Sequence, residues 1–249
     1  MLHTRLVLLI ALVAGLAAAW RVLQITAPPG PGLDPDAVSY LGAALSVAHG
    51  QGFRIPEGSW NAPDTTSALA HFPPGFSALI AVGVRAGVDA RNAARFIEAG
   101  AAAVAVIAVA LTAGVASEPI AALVAALLLL LTPAMVVVHA SVLSEPLFLA
   151  LVATFTLVLA RRPAGETDPG APLRRLAALS VIAAAAALVR YAGLALIGAI
   201  ALDALLAHRQ APLGPRLRNA VLTTLLPVVP FGWWTLSRSE EHTSELQSH

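Results

Sequence analysis

Residues 93–115, AARFIEAGAAAVAVIAVALTAGV, decide the fold class of this protein. Arg95 and Glu98 are the only charged residues in this stretch, and nearly all the others are small or aliphatic. A helix needs about 20 predominantly apolar residues to cross the hydrocarbon core of a bilayer. The stretch has that length and that composition, and it therefore predicts a transmembrane helix.

The rest of the chain has the same character. Its 249 residues are 58% hydrophobic and 12% charged, which is far more apolar than an average soluble domain. We predict an all-α, polytopic membrane protein with seven spans, at 6–25, 93–115, 120–138, 142–160, 176–189, 192–207 and 220–236. The segment 73–88 is shorter, opens with Pro-Pro-Gly and contains Arg85, so we predict an interfacial or re-entrant helix there.

The distribution of arginine predicts the orientation of these spans, because short cytoplasmic loops of membrane proteins are enriched in basic residues. Arg5 and the Arg-containing loops 161–175 and 209–218 fall on one side if the first span runs outward. We therefore expect a multi-pass protein of the cell inner membrane with a cytoplasmic N-terminus. The loop 26–92 is then periplasmic or extracellular. A cleavable signal peptide is the alternative interpretation of the first span.

The last stretch, 238–249, has a different composition from the rest. It reads RSEEHTSELQSH, and this polar string resembles a translated sequencing-library adapter. We therefore expect 1–237 to be one transmembrane domain, the N-terminal part of a longer protein, and 238–249 to be an artefactual tail. On that interpretation we expect the fragment to be inactive by itself. A genuine polar tail is the alternative.

Composition also excludes several kinds of chemistry. The chain has no cysteine, which excludes disulfides, thiolate metal sites and thiol nucleophiles. Its formal net charge of +1 gives no reason to expect a nucleic-acid partner. The sequence contains no Gly-rich phosphate loop and identifies no cofactor, and a divalent metal is neither supported nor excluded.

A short amphipathic helix is predicted at the membrane surface after the first span, between residue 34 and Gly50. Its apolar stripe begins with Val38, Leu41 and Leu45. Asp34 suits the cap of this helix, and Asp36 suits the positive end of its dipole. Alternatively Asp36, which shares a helical face with Tyr40, is a general base at the interface. The residues alone leave both interpretations open.

Short motifs follow one another in a fixed order along the chain. They are Asp36-x-x-x-Tyr40, Gly50-x-Gly-Phe53, Pro73-Pro-Gly-Phe76, Ala93-Ala-Arg-Phe96, Pro133 followed by Ser144-Glu-Pro146, and Arg190-Tyr-Ala-Gly193. Together they resemble the family 39 glycosyltransferases of the GT-C fold, relatives of protein O-mannosyltransferases and of lipid A aminoarabinose transferase.

The resemblance implies an enzyme that transfers a sugar from a polyprenyl-phosphate-linked donor to a hydroxyl acceptor on the outer face of the membrane. It implies an essential Asp in the first outer loop, which by the match is Asp36. The family often has Asp-Glu at this point, whereas this chain has Asp36-Ala37, so support from a neighbouring acid is lost or passes to Asp34. The implied partners are the donor, membrane lipid and an acceptor that is a glycan, a lipid or a protein.

Besides Asp34, six residues are candidates for binding substrate: Tyr40, His71, Arg95, Glu145, Arg190 and Tyr191. Glu145 opens the fourth span, where it either binds substrate or is a helix-start acid with Ser144 as the cap. Arg95 and Arg190 lie at the outer ends of spans, where each either snorkels to the interface or binds a phosphate. His71 either binds a ligand or is only solvated.

Two other functions are compatible with the sequence. Glu98 and Asp203 lie within apolar spans, and a secondary transporter would use such acids as coupling carboxylates. The long outer loop so early in the chain and the lack of an inverted repeat argue against a transporter. The second alternative is a non-catalytic membrane subunit, in which Asp34 and Asp36 only cap a helix.

Overall fold

The computed structural model describes residues 2–56, 65–161, 171–206 and 212–247, and of 171–172 and 238–247 it describes the backbone alone. Some polar residues of the predicted loops lie outside the described residues: Glu57, Trp60, Asp64, Arg162 and Arg209. The side chains of the predicted tail also lie outside them, and the tail stays a prediction.

Helices make up most of the described chain. In order they are α1 (Leu2–Ile25), α2 (Pro35–Ala48), α3 (Gly75–Arg85), α4 (Ala90–Ala116), α5 (Pro119–Leu131), α6 (Pro133–His139), α7 (Glu145–Ala160), α8 (Ala171–Val189), α9 (Leu194–Leu206) and α10 (Leu213–Gln247). A short 3₁₀ turn, Tyr191–Gly193, links α8 to α9. The prediction of an α-helical membrane protein is confirmed.

The predicted count of seven spans is not confirmed. Within the described ranges, three helical segments are long and apolar enough to cross a membrane: α1, α4 and Leu213–Ser237 of α10. The predicted span 120–138 is divided into α5 and α6, which are bent by 55° relative to each other. The helices α3, α7 and α9 are apolar but shorter.

Proline explains two of the differences from the predicted spans. Pro133 lacks the N–H that would continue the ladder of α5, so the chain bends there and α6 begins. Pro146 lies in the first turn of α7, where a missing N–H costs nothing, and the helix begins at Glu145 instead of residue 142. The segment 140–144 is thereby left outside the helices.

Small residues allow α1 and α4 to pack closely. Ala11, Ala18, Ala102 and Ala110 are buried in this contact, and a side chain at Gly15 would collide with Ile107. Close approach of this kind is the usual basis of helix packing in membranes, where apolar side chains gain nothing from leaving lipid. The loop 26–92 connects these two packed helices and is held in place by them.

Backbone pairing joins the end of the α1–α2 connection to the segment before α7. The Gly32 N–H donates to the Ala140 carbonyl at 2.7 Å, and the Val142 N–H donates to the Gly32 carbonyl at 3.1 Å. Glu98 of α4 accepts a hydrogen bond from the Leu143 N–H at 2.9 Å. These bonds hold the beginning of α2 beside the beginning of α7.

The loop 26–92 contains a hairpin that was not predicted. Strand β1 (Arg54–Pro56) pairs antiparallel with β2 (Thr66–Ala68). Gly50 and Gly52 have φ angles of +80° and +77°, a conformation that favours glycine, and they turn the chain from α2 into the hairpin. The Phe53 ring that follows packs edge-on against Trp234 at a centroid distance of 5.1 Å. The loop is thereby anchored to α10.

The apolar stripe predicted for α2 is only part of the face that packs, since Leu41 is partly buried against the core. Val38 and Leu45 are exposed, whereas Ala37, Tyr40 and Ala44 are buried. Alanine side chains allow α2 to approach α3 closely, and Leu41 and Val47 are partly buried against the same core. An exposed apolar face on a short helix fits the predicted position at a membrane surface.

Candidate active site

A polar cluster forms where α2, α7 and the end of α8 meet. The hydroxyl groups of Tyr40 and Ser144 share a hydrogen bond of 2.9 Å. Nη1 of Arg190 donates to Ser144 Oγ at 3.0 Å and forms an ion pair with Glu145 Oε1 at 2.7 Å. Three of the predicted candidates, Tyr40, Glu145 and Arg190, are therefore brought together.

Asp36 belongs to the same face of α2 as Tyr40. It lies in the first turn of the helix, one turn before Tyr40, and is partly exposed. Burial is the main cause of the raised pKa of the Tyr40 hydroxyl, and the negative charge of Asp36 adds a smaller effect in the same direction. Asp36 is thus a solvent-accessible carboxylate at the edge of the cluster.

Asp34 does not cap α2 with its side chain. It occupies the N-cap position, with Pro35 following it in the first turn as expected, but its carboxylate makes no capping hydrogen bond. Asp34 is exposed. The capping interpretation is therefore wrong for the side chain of Asp34, and its role in binding substrate stays a prediction.

Aromatic rings fix the position of Tyr40. Phe76 meets its ring edge-on at a centroid distance of 5.2 Å, and Phe72 lies at 4.8 Å. Burial raises the pKa of Tyr40 above its ordinary value, although the hydrogen bond shared with Ser144 and the charge of Arg190 act in the opposite direction. The hydroxyl is therefore protonated at neutral pH, and it can donate a hydrogen bond.

Ser144 is the member of the cluster that sequence reasoning assigned to a different role. Capping of α7 was one of the two interpretations left open for this turn, but Ser144 makes no side-chain capping bond and its hydroxyl connects Tyr40 with Arg190 instead. The residue is fully buried. Its place in the Ser-Glu-Pro motif was the sequence signal for a functional role. In the structure, a buried serine beside a charged residue needs a polar partner.

Two motif glycines hold the end of α8 in place. A side chain at Gly75 would lie 2.7 Å from the Leu188 carbonyl oxygen, and one at Gly193 would overlap the backbone of Ala186 and Ala187. Only glycine allows α3 and the 3₁₀ turn to approach α8 this closely. Arg190, which lies between α8 and this turn, is directed toward Ser144 and Glu145 as a result.

Arg95 is not part of this cluster. Its Nε donates to Thr26 Oγ1 at 3.0 Å, and its Nη2 donates to the Leu23 carbonyl at 2.7 Å. Arginine near the last carbonyls of a helix stabilises the negative end of the dipole. The guanidinium therefore secures the end of α1, and its predicted role in binding substrate stays a prediction.

His71 and Tyr191 lie beside the cluster and contact neighbouring segments. The Tyr191 hydroxyl donates to the Ala70 carbonyl at 3.1 Å, and its ring packs edge-on against Phe231. His71 is exposed next to that contact. Tyr191 thus joins the outer loop to α10, and the predicted role of either residue in binding substrate stays a prediction.

The two acids predicted to lie within spans both have partners among the described residues. Glu98 accepts the Leu143 N–H, and Asp203 forms an ion pair of 2.7 Å with Arg175. The side chains of Arg175 and Asp203 are 16% and 4% exposed, so this pair is largely buried. Asp203 therefore neutralises an arginine between α8 and α9.

A metal site has no support in the described ranges, in which no group of three or more His, Asp or Glu side chains is suitably placed to hold an ion. The polar chemistry of the cluster consists of one guanidinium, two hydroxyls and the carboxylates of Glu145 and Asp36. Such a set can bind an anionic group and accept a proton from a neutral one.

The fold and the cluster define a multi-pass helical membrane protein whose polar site lies where several apolar helices end. The sequence model of the dolichyl-phosphate-mannose-protein mannosyltransferase family matches residues 71–234, about two thirds of the chain. The chain belongs to this family of GT-C glycosyltransferases, and it is a membrane glycosyltransferase of the mannosyltransferase type. No curated protein and no solved structure matches the chain.

The matched range includes five of the candidate residues: His71, Arg95, Glu145, Arg190 and Tyr191. It begins after Asp34, Asp36 and Tyr40. The roles of those three residues therefore rest on the cluster geometry and on the sequence resemblance.

Proposed function

We propose that this chain transfers a sugar from a polyprenyl-phosphate-linked donor to a hydroxyl acceptor at the outer face of the membrane, with Asp36 as the general base. One observation carries the proposal. Asp36 and Tyr40 share the face of α2 that meets Arg190 and Glu145, so a partly exposed carboxylate lies beside an arginine–hydroxyl cluster.

The reaction requires a base that removes the proton of the acceptor hydroxyl and, at the same time, a positive charge that stabilises the leaving phosphate. The acceptor hydroxyl attacks the anomeric carbon of the sugar, the bond from that carbon to the phosphate oxygen breaks, and the hydroxyl proton passes to Asp36. Negative charge grows on the departing polyprenyl phosphate. Arg190 is suited to bind it, because its side chain is 35% exposed although it is held by Glu145 and Ser144.

Glu145 has a second oxygen available for substrate. Oε1 is paired with Arg190, whereas Oε2 is buried and has no hydrogen-bond partner among the described residues. A buried carboxylate oxygen without a donor is costly, and a sugar hydroxyl would supply the missing bond. We assign Glu145 to sugar binding and Tyr40 to holding the position of Ser144.

The outer-face location follows from the arginine distribution. The N-terminus and the loops 161–175 and 209–218 are proposed to be cytoplasmic, which puts the cluster on the opposite side of an inner membrane. Reporter fusions after Gly165 that are active only outside the cell would contradict this topology.

The substitution Asp36→Asn tests the proposed base. Asparagine keeps the size and the helix-start preference of aspartate, but it cannot accept the proton. We expect transfer in membranes containing the intact protein to fall by about 10² to 10⁴-fold, with unchanged insertion and thermal stability.

Asp34→Asn is the matched control, because Asp34 is exposed at the same helix end and its carboxylate makes no capping hydrogen bond. It should retain most of the activity. Near-wild-type turnover of Asp36→Asn would exclude Asp36 as the base and favour a non-catalytic role for this helix.

A further inference from the structure

Glu98 is a buried acid on α4 that the proposed reaction does not use. Its side chain is fully enclosed, with an exposed fraction of 0%. Acids within apolar membrane helices are expensive to bury and are usually functional. Because Glu98 is not accessible, it does not touch a substrate, and its function is exercised through the residues that it contacts.

One oxygen of Glu98 anchors the segment 140–144, which connects α6 to α7 and is not helical. Oε1 accepts a hydrogen bond from the Leu143 N–H at 2.9 Å. The residue before it is anchored as well, because the Val142 N–H donates to the Gly32 carbonyl at 3.1 Å. Two successive residues of the segment are thus held by other parts of the fold, Val142 by the α1–α2 connection and Leu143 by α4.

The anchored segment leads directly into the candidate site. Ser144 and Glu145 follow Leu143 in the chain, and Arg190 bonds to both of them. Glu98 and Glu145 are also close enough to interact electrostatically, so the buried acid lies near the cluster. The bond between Glu98 and Leu143 therefore fixes the starting point of the chain that carries Ser144 and Glu145.

The anchoring uses a single acceptor atom of the carboxylate. Oε2 of Glu98 is buried and has no hydrogen-bond partner among the described residues. A carboxylate that served an ion pair or a second donor would have that oxygen in contact with a partner. The geometry thus depends on the reach of the side chain and on one acceptor, and not on a paired charge.

We propose that Glu98 is a positioning residue of the transfer site, which holds Leu143 and thereby sets the positions of Ser144, Glu145 and Arg190. The placement of these three side chains stands without the reaction. Its consequence for sugar transfer rests on the proposed function, in which Glu145 binds the sugar and Arg190 binds the leaving phosphate.

Two substitutions separate the hydrogen bond from the charge. Glu98→Gln keeps the length of the side chain and an acceptor oxygen, but it has no charge. Glu98→Asp keeps the carboxylate but is shorter by a methylene group, so it does not reach the Leu143 N–H. A positioning residue tolerates the first change and not the second, whereas a residue that acts through its charge shows the reverse order.

Hydrogen–deuterium exchange of the purified full chain measures the anchoring bond directly. The peptide that contains Leu143 is followed by mass spectrometry. We expect the Leu143 N–H to exchange about fivefold faster in Glu98→Asp, as the loss of one net hydrogen bond would give, and at the original rate in Glu98→Gln. Equal exchange in the two variants and the unaltered chain would overturn the proposal.

The Tyr40–Ser144 bond reports whether the anchoring reaches the cluster. Tyr40 shares a hydrogen bond of 2.9 Å with Ser144. If Ser144 is displaced in Glu98→Asp, the further change Tyr40→Phe should lower the unfolding temperature less than it does in the unaltered chain. In Glu98→Gln it should lower it by the same amount. An equal effect of Tyr40→Phe in all three backgrounds would show that Glu98 does not place Ser144.

Sugar transfer in membranes containing the intact protein measures the consequence. Glu98→Asp should lower kcat/KM for the lipid-linked donor by about 10²-fold, which is the typical effect of displacing a reacting group by about 1 Å. Glu98→Gln should restore most of the activity. The reverse order of the two variants would overturn the positioning role and show that the charge of Glu98 is required.

Asp203→Asn is the control for lost stability, because it changes another buried acid on a different helix, α9. It should keep its turnover per folded molecule. Thermal unfolding is measured for every variant, and Glu98→Met, which also lacks the acceptor, replaces Glu98→Asp if the latter does not fold. The expected exchange and unfolding results in a protein that transfers no sugar would retain the placement of Ser144 by Glu98 and remove only the proposed function.

Discussion

The hydroxyl groups of Tyr40 and Ser144 lie 2.9 Å apart and share a buried hydrogen bond, although 104 residues separate them in the chain. This bond connects α2, in the loop 26–92, directly to the first residue before α7. Because Ser144 also accepts from Arg190, the position of the arginine depends on the position of α2. The cluster is therefore complete only when the loop is packed onto the helices.

A double-mutant cycle measures this connection. Tyr40→Phe and Ser144→Ala should each lower the free energy of unfolding by about 1 kcal/mol, as expected for a buried hydrogen bond. The double variant should lose clearly less than the sum, because either change alone already breaks the bond. Thermal unfolding of the three variants in the same detergent checks this, and additive losses would mean that the two hydroxyls do not interact.

The titration of Tyr40 reports the same environment. The chain has two tyrosines, so a Tyr191→Phe variant isolates Tyr40. Burial raises the pKa of Tyr40, and the folded protein should form tyrosinate only above about pH 10, the ordinary range of the unfolded chain. The stabilising contribution is then fully present below that pH and is lost as the pH rises through the folded pKa. Near-ultraviolet absorbance follows the titration, and a midpoint below about 10 would contradict the prediction.

Arg190 and Arg95 should differ in their effect on transfer. Arg190→Gln removes the positive charge proposed to bind the leaving phosphate, and we expect kcat/KM for the lipid-linked donor to fall by about 10² to 10³-fold. Arg95→Gln removes a contact to the end of α1 and should lower thermal stability with little kinetic effect. Steady-state kinetics of the two variants at equal expression check this. Equal losses of kcat/KM in the two variants would show that Arg190 has no special role in binding the leaving phosphate.

A substitution in the Arg175–Asp203 pair tests whether the protein acts as an enzyme or as a transporter. Asp203→Asn leaves a largely buried arginine without its ionised partner, which typically costs about 3 to 5 kcal/mol. We expect a large fall in thermal stability, with normal turnover per folded molecule at low temperature. A stable variant that had lost ion-coupled uptake in proteoliposomes would instead support the transporter.

The sequence alone predicted the features of the candidate site that depend on neighbouring residues. Asp36 and Tyr40 share a helical face because they are four residues apart, and Pro35 begins their helix. The partners of Ser144 and Arg95 were not predicted, because local rules offer only capping to a helix-start serine and only the interface or a ligand to a terminal arginine. In the folded chain both side chains have closer partners on other helices.

The hairpin β1–β2 is a feature of the fold that the sequence likewise did not predict. Strands of three residues are too short for an alternating pattern to appear in the sequence.

Composition determined that the chain is a helical membrane protein, because long apolar segments have no other stable conformation in lipid. The tertiary structure decided which polar side chains meet. Tyr40, Ser144 and Arg190 come from three distant segments, and only the close approach allowed by Gly75 and Gly193 brings the ends of those segments together. Hydrogen bonds act over about 3 Å, so a site built from distant segments depends on helix packing that local sequence does not specify.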